Sequence, residues 1–108
     1  MPEFPAPDAL KSLFTLLRKK SFFTGDFILA SGKKSNYYID CRLTTLDPAG
    51  ACLVGAAMRQ TVSEQCERLG VNVTGIGGLT LGADPIALST AMASHLNNDS
   101  PALKPFVV

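Results

Sequence analysis

The stretch from Val71 to Val108 constrains the fold most, because it alternates a strand, a helix and a second strand. Val71 to Ile76 is short and β-branched, which predicts a strand. Asp84-Pro85 pairs a capping side chain with a proline suited to the first turn, so a helix is expected from there to about Leu96. Leu103 to Val108 is apolar and again of strand character. Strands joined through a helix run parallel, so the chain predicts an α/β protein.

The carboxyl end of the sequence bears on domain organisation. A parallel sheet normally has several strands and is covered on both faces. Here the sequence stops in its second strand, leaving an apolar edge at Val108 of the kind that invites aggregation. A chain of 108 residues has the size of one small domain. We therefore expect residues 1–108 to form a single incomplete domain that is truncated after Val108.

The amino-terminal part predicts a helix followed by a hairpin. Between about residues 8 and 20, leucines and Phe14 fall on one helical stripe, expected to be core or subunit interface. Residues 27–29 and 37–41 have the composition of two short strands. The connection from Ala30 to Asn36 is polar and contains a glycine, which is typical of a hairpin turn.

A long helix should follow this hairpin. Asp47-Pro48 combines a side-chain acceptor at the N-cap with proline at the first helical position. The helix should continue to about Arg68 and end at Gly70, a plausible C-cap. Residues from about 8 to 46 then hold the helix and hairpin, and residues from about 47 to 108 hold the first part of the α/β core.

Composition excludes several classes of function. The apolar fraction of 46%, the charged fraction of 18% and the net charge of +1 are ordinary for a globular protein and give no basic surface for nucleic acid. No apolar run reaches the roughly 18 residues of a membrane span. Three cysteines, an odd number without Cys-x-x-Cys spacing, indicate free thiols and a cytoplasmic location. His95 is the single histidine and has no cysteine nearby, so no metal site is expected.

A glycine-rich turn from Gly75 to Pro85 joins the predicted strand to its helix. Ligands of open α/β sheets bind beyond the carboxyl ends of the strands, and N–H groups beside a helix N-terminus bind anions. The turn therefore predicts a phosphate site. It is not a P-loop, because Ala83 stands where that loop needs lysine, and Thr80 breaks the dinucleotide fingerprint. A tight turn whose glycines serve packing alone is the alternative at this point.

Two segments taken together resemble the orotate phosphoribosyltransferase family. Gly25 to Asp40, GDFILASGKKSNYYID, resembles the family's F-x-L-x-S-G-x-x-S-x-Y-Y hairpin. Gly77 to Ala87, GGLTLGADPIA, resembles its G-G-x-T-x-G-A-D-P-I pyrophosphate loop, and Phe106 to Val108 resembles the strand before its catalytic loop. Either motif alone would be suggestive. The pair, in the right order and spacing from about Leu10 onward, is specific.

The resemblance implies an activity. The family transfers phosphoribosyl from phosphoribosyl pyrophosphate to orotate, giving orotidine 5′-monophosphate and pyrophosphate in pyrimidine (UMP) biosynthesis. Magnesium accompanies the pyrophosphate, as suits a hard cation held by phosphate oxygens and water. Catalysis should rest on positioning and electrostatic stabilisation. The family acts as a dimer, so a homodimer is expected of the complete protein.

The resemblance also implies a fold and a set of binding residues. The fold would be an N-terminal helix plus a β-hairpin hood over orotate, leading into a partial phosphoribosyltransferase-type parallel sheet. The orotate side would comprise Ala30, Ser31, Gly32, Lys33, Tyr38 and Ile39. The pyrophosphate side would comprise Gly78, Leu79, Thr80, Leu81 and Gly82. Ala30 replaces a lysine of some members, and Thr80-Leu81 replaces a Tyr-Lys pair of others, which leaves the backbone and the Thr80 hydroxyl to make the loop's contacts.

The family's catalytic segments do not occur in residues 1–108. After the Val-Val strand the family continues with an Arg-Lys pair, a mobile loop with lysine and histidine, and an acidic-pair phosphoribosyl motif. We therefore expect no catalytic residue and no metal ligand within this chain, and no transferase activity from it alone.

Several residues also have simpler interpretations. Tyr37 and Tyr38 should point to opposite faces of a strand, one onto the core and Tyr38 toward the planar ring. Asp84 is better explained as an N-cap than as a metal ligand. Asp40 and Arg42 could meet substrate, but a surface ion pair is the safer expectation.

Two other functions stay open. A purine-type phosphoribosyltransferase shares the strand–helix–strand logic but not the Ser31-Gly32 hairpin with its tyrosine pair. A non-catalytic module that binds phosphate or mediates dimerisation is the other alternative. Binding of orotate but not guanine would exclude the purine enzyme.

Overall fold

The computed structural model describes residues 9–108. The elements in chain order are α1 Ala9–Lys20, β1 Phe22–Ile28, β2 Lys34–Ile39, α2 Arg42–Thr45, α3 Pro48–Leu69, β3 Gly75–Ile76, α4 Ala83–Leu96 and β4 Lys104–Pro105. Strands β1 and β2 form an antiparallel hairpin, and β3 and β4 form a parallel pair. Within residues 9–108 no helix combines the length and the apolar character needed to cross a membrane. The predicted first residue of α1, Asp8, lies outside the described residues.

The predicted hairpin is confirmed, but its strands were placed wrongly. They pair from Phe22 opposite Ile39 to Ile28 opposite Lys34, so the first strand begins well before residue 27. The register shifts between Thr24 and Phe27. Such a bulge interrupts the alternation by which a strand is recognised in a sequence, which explains why the first half of β1 was missed.

The hairpin does not pack on the core. Tyr37 is 51% exposed and Tyr38 is 42% exposed, so the expectation that one of them packs on the core is wrong. Their rings contact aromatic partners within the hairpin instead: Tyr37 lies 6.0 Å from Phe22 and Tyr38 lies 5.7 Å from Phe27, between ring centroids. Among the described residues, β1 and β2 contain no buried side chain, so the hairpin lies outside the core.

The base of the hairpin is anchored by buried polar groups. Ser21 and Thr44 are both fully buried, and their hydroxyl oxygens lie 2.6 Å apart. The Asp40 N–H donates to the Ser21 carbonyl at 2.9 Å. The Asp40 carboxylate pairs with Arg42 at 3.1 Å, which confirms the expected ion pair. The hydrogen bond from Arg42 lowers the pKa of Asp40.

Both ends of α3 agree with the ends predicted from the sequence. Asp47 caps the helix, since its carboxylate accepts from the Gly50 N–H at 2.9 Å. Lys20 lies 2.7 Å from the same carboxylate, and this hydrogen bond is the main reason that the pKa of Asp47 is lowered. At the other end, Gly70 takes the left-handed conformation with φ of 65°, as expected of a C-cap after Leu69.

The core lies mainly between α3 and α4, where small residues allow a close approach of the two helices. A Cβ added to Gly55 would lie 2.3 Å from the Ser89 carbonyl oxygen. The buried apolar residues are Ala9, Val54, Ala56, Ala57, Ala87, Ala91, Ala93 and Leu103. In the stripe of α1, Leu13, Leu16 and Leu17 are half-buried, whereas Leu10 is 63% and Phe14 is 65% exposed. The core interpretation of these two residues is therefore wrong.

The strand–helix–strand unit is confirmed, with three corrections. Its second strand is Lys104–Pro105 rather than the whole run from Leu103 to Val108. Gly75 pairs in parallel with Lys104, but only Gly75–Ile76 form the first strand, because the Val71 N–H instead bonds to the end of α3. Helix α4 reaches Leu96 as expected but begins at Ala83, so the prediction of Asp84 as N-cap is wrong. Gly82 occupies the cap position, without a side-chain cap.

A polar cluster absent from the sequence predictions joins α3, α4 and the connection to β4. Arg59 donates two hydrogen bonds to Asp99, at 2.9 and 2.8 Å. Ser94 donates to Asp99 at 2.8 Å and accepts from the Leu103 N–H at 3.0 Å. Arg59 is the largest cause of the lowered pKa of Asp99.

Candidate phosphate-binding site

The glycine loop, residues Gly77–Gly82, connects the carboxyl end of β3 to the start of α4. Two of its glycines have a packing role. A Cβ on Gly77 would lie 2.4 Å from the Phe106 ring, and one on Gly78 would lie 2.8 Å from the Ala83 Cβ. For these two positions the tight-turn explanation is sufficient.

Gly82 has no such packing role. A Cβ added there would meet no atom of the described residues within 4 Å. Its φ of −64° and ψ of −39° are helical, a conformation open to any residue. Neither space within the chain nor backbone geometry requires glycine at this position, so the open space in front of α4 is available to a ligand that approaches the backbone.

The backbone N–H groups of the loop are unpaired. Within residues 9–108, no N–H from Gly77 to Gly82 donates a hydrogen bond to a backbone or side-chain acceptor. The loop is closed instead by the Ala83 N–H, which donates to the Leu79 carbonyl at 3.0 Å. The peptide bond between Thr80 and Leu81 is cis. Successive free N–H groups beside a helix N-terminus can bind an anion.

Thr80 and Asp84 are linked across the junction of loop and helix. The Thr80 hydroxyl donates to Oδ2 of Asp84. The other carboxylate oxygen, Oδ1, is buried and has no hydrogen-bond partner among the described residues. A hydroxyl has one proton, so in this arrangement Thr80 has none to donate to a ligand. Sequence reasoning missed this link because it assigned Asp84 to the cap. The four-residue spacing from Thr80 was the available signal.

The predicted orotate-side residues are spread along the hairpin. Ala30 to Lys33 form its turn, in which Gly32 has φ of 84° and its N–H donates to the Leu29 carbonyl at 2.8 Å. Tyr38 and Ile39 lie at the other end of β2. At about 3.3 Å per residue, Lys33 and Tyr38 are roughly 17 Å apart along the strand. One planar ring cannot contact both ends of the hairpin at once.

The structure does not join the hairpin to the glycine loop. Within residues 9–108, no hydrogen bond, ion pair or aromatic pair links them. No cluster of three or more His, Cys, Asp and Glu side chains in the same part of the chain could hold a metal ion. The loop therefore offers backbone groups rather than charged side chains to a ligand.

Several known proteins resemble this chain in sequence. No family model matches the chain. Orotate phosphoribosyltransferase of Rhodopirellula baltica is 43% identical over 99 residues, which cover 92% of this chain and 50% of that protein. The enzyme of Aquifex aeolicus is 45% identical over 101 residues, which cover 91% of this chain and 51% of that protein.

Solved structures agree. Orotate phosphoribosyltransferase of Mycobacterium tuberculosis in complex with Fe(III) dicitrate matches with a TM-score of 0.75 and 33% identity, over 94% of this chain and 54% of that chain. The resemblance to orotate phosphoribosyltransferase is confirmed. The chain spans about half the length of the curated orotate phosphoribosyltransferases it matches, in keeping with an amino-terminal portion of such an enzyme. The predicted α/β fold class, that of a partial orotate phosphoribosyltransferase, is also confirmed.

Proposed function

We propose that this chain is the part of an orotate phosphoribosyltransferase that binds the diphosphate of phosphoribosyl pyrophosphate. The observation that carries the proposal is the run of N–H groups from Gly77 to Gly82 that have no acceptor within residues 9–108, at the carboxyl end of β3 and next to α4. The Mycobacterium tuberculosis enzyme, 32% identical to this chain with a TM-score of 0.70, has a solved structure in complex with phosphoribosyl pyrophosphate.

The proposed loop acts on the leaving group. A bond forms between a ring nitrogen of orotate, which gives up its proton to solvent, and C1′ of the ribose, while the bond from C1′ to the diphosphate oxygen breaks. The electron pair of the broken bond leaves with pyrophosphate. N–H groups already aimed at that oxygen stabilise the charge it gains, without a covalent intermediate.

At this site, the ligands of Mg²⁺ would be diphosphate oxygens and water rather than protein side chains. The carboxylate nearest the loop in sequence, Asp84, is already bonded to Thr80. Diphosphate oxygens and water are the ligands that Mg²⁺ prefers in sites of this kind. When bound, Mg²⁺ neutralises diphosphate charge, and this chain supplies the backbone donors.

The hairpin is proposed as the hood over orotate. Because its two ends are too far apart to meet one ring, we assign Tyr38 and Ile39 to the face of orotate, and the turn from Ala30 to Lys33 to the edge of the closed site. Lys33 is exposed, and within residues 9–108 its side chain makes no ion pair, so its charge is available to anionic substrates.

The proposed function also has consequences for the cellular location and the oligomeric state of the protein. We infer a cytoplasmic protein, since Cys41, Cys52 and Cys66 are free thiols. We also infer a homodimer for the complete protein, and the exposed Leu10 and Phe14 of α1 support an apolar contact.

The proposal is tested at Gly82. Gly82→Ala should leave the melting temperature unchanged or raise it, because alanine suits a helical backbone better than glycine. The added methyl group occupies the open space, so the affinity for inorganic pyrophosphate with Mg²⁺, measured by calorimetry on the full chain, should fall about tenfold or more.

Gly70→Ala is the matched control. Its φ of 65° makes alanine unfavourable, so the melting temperature should fall while pyrophosphate affinity stays unchanged. Equal pyrophosphate affinity in the wild type and Gly82→Ala would contradict the proposed site. Binding of guanine rather than orotate would favour the purine enzyme.

A further inference from the structure

We propose that Asp84 is a positioning residue that holds the glycine loop through the Thr80 hydroxyl, a role that rests on the proposed diphosphate site. The hydrogen bond from Thr80 to Asp84 is the one side-chain hydrogen bond that the loop makes within residues 9–108. It joins the middle of the loop to the first turn of α4.

The loop has few other restraints. Leu79 is 79% exposed and Leu81 is 80% exposed, so neither side chain packs on the protein. Gly77 and Gly78 fix the beginning of the loop, and the Ala83 N–H closes its end. Backbone donors stabilise an anion well only when their direction is fixed before it binds. Thr80 lies between the fixed ends, where one added bond restrains the loop most.

The position of Asp84 is otherwise unfavourable for an anion site. A carboxylate repels a diphosphate held nearby. Its Oδ1 atom is buried and has no hydrogen-bond partner in the part of the chain that the structure describes, which costs the hydration of that atom. A helix dipole favours an acid in the first turn, but a solvent-facing carboxylate would gain the same benefit. Since the Thr80 proton is directed at Asp84, the bond orients the loop and does not contact the ligand.

The test is a double-mutant cycle with Thr80→Val, Asp84→Ala and the double variant. Affinity for inorganic pyrophosphate with Mg²⁺ is measured on the full chain, together with affinity for orotate. Thr80→Val should bind pyrophosphate about tenfold more weakly. Asp84→Ala should lose less affinity, because it also removes a carboxylate that repels the diphosphate, and the double variant should bind like Asp84→Ala, since both substitutions remove the same bond. Thr80→Ser, which keeps the hydroxyl, should bind like the wild type.

Thr61→Val is the matched control, since the Thr61 hydroxyl donates to the Ala57 carbonyl within α3, at 2.9 Å. It should leave pyrophosphate affinity unchanged. Wild-type affinity in Thr80→Val, or additive losses in the double variant, would overturn the role of Asp84 while leaving the site intact. A wild type that binds no pyrophosphate would overturn the proposed function itself. Because Thr80 is exposed and precedes α4, Thr80→Val and Thr80→Ser keep the test decisive even if Asp84→Ala unfolds.

Discussion

Single residues of one type have different roles in this chain, and glycine shows it best. Gly77 gives room to the Phe106 ring, whereas Gly32 supplies a positive φ of 84° in the hairpin turn. Gly82 does neither, so it is the glycine at which we propose that a ligand approaches the backbone. The sequence shows where each glycine is, but the reason that a glycine is needed there depends on its neighbours in space.

Gly55→Ala should destabilise the protein. Its Cβ would lie 2.3 Å from the backbone oxygen of Ser89, so α3 and α4 must move apart. We expect the free energy of unfolding in urea, followed by circular dichroism, to fall by about 2 to 3 kcal/mol. Gly82→Ala, in open space, serves as the comparison. A fall of the same size in both variants would contradict this packing argument.

Tyr38→Ala should weaken orotate binding more than Tyr37→Ala. The two side chains are similarly exposed and sit on opposite faces of β2, so they form a matched pair. Loss of a stacked aromatic ring costs about 1 kcal/mol, or roughly fivefold in affinity. Calorimetric titration of orotate into the full chain, with Mg²⁺ and pyrophosphate present, measures the difference. The reverse order would assign orotate to the other face of the hairpin.

Whole elements depend on context as well as on local signals. An Asp-Pro pair occurs at the start of both long helices of the core, but Asp47 precedes α3 and Pro48 begins it, whereas Asp84 and Pro85 both lie inside α4. Asp47 has an extended backbone and turns its carboxylate back to the Gly50 N–H, so α3 starts after it. Asp84 instead accepts from Thr80, and the Ala83 N–H already bonds to the Leu79 carbonyl, so α4 starts earlier.

The Asp99 cluster should make stability depend on acidity. Hydrogen bonds, chiefly from Arg59, hold the pKa of Asp99 well below its ordinary value of about 3.9. A lowered folded-state pKa adds stability that is complete above the unfolded pKa and is lost as pH falls through the folded one. Asp99→Asn should therefore cost about 2 kcal/mol at pH 7.

Urea unfolding of the wild type and Asp99→Asn from neutral to acidic pH checks this. The difference between the two proteins should be constant near neutrality and shrink progressively below about pH 4. Asn97→Ala, which removes one minor donor to Asp99 at 2.8 Å, should show a smaller loss at pH 7. A difference that does not change with pH would rule out the ionised carboxylate as its source.

At the scale of the whole molecule, apolar surface is left uncovered. On α4, Leu88 is 53%, Met92 is 57% and Leu96 is 68% exposed, and Val107 beyond β4 is 74% exposed. Contiguous exposed apolar surface of this kind favours association. The curated relatives are about twice as long as the matched segment, and their further residues are available to cover such a surface.

The polypeptide of residues 1–108, purified alone, should therefore bind a fluorescent apolar dye and elute from size-exclusion columns as associated species. It should form no orotidine monophosphate, because it spans only about half the length of the curated orotate phosphoribosyltransferases it matches. Leu96→Lys should reduce dye binding without lowering the melting temperature. A dye-free monomer, or measurable product, would contradict these expectations.

Features that depend on residues a few positions apart could be predicted from the amino-acid sequence alone. These include the caps of α3 at Asp47 and Gly70, the hairpin turn at Gly32 and the glycine loop before α4. The packing of the fold decides which loop glycine faces open space and that Arg59 meets Asp99. Local hydrogen bonds and backbone preferences act within one turn of chain, so they can be predicted from the order of neighbouring residues. Contacts between distant residues depend on how helices pack, and no short pattern records that.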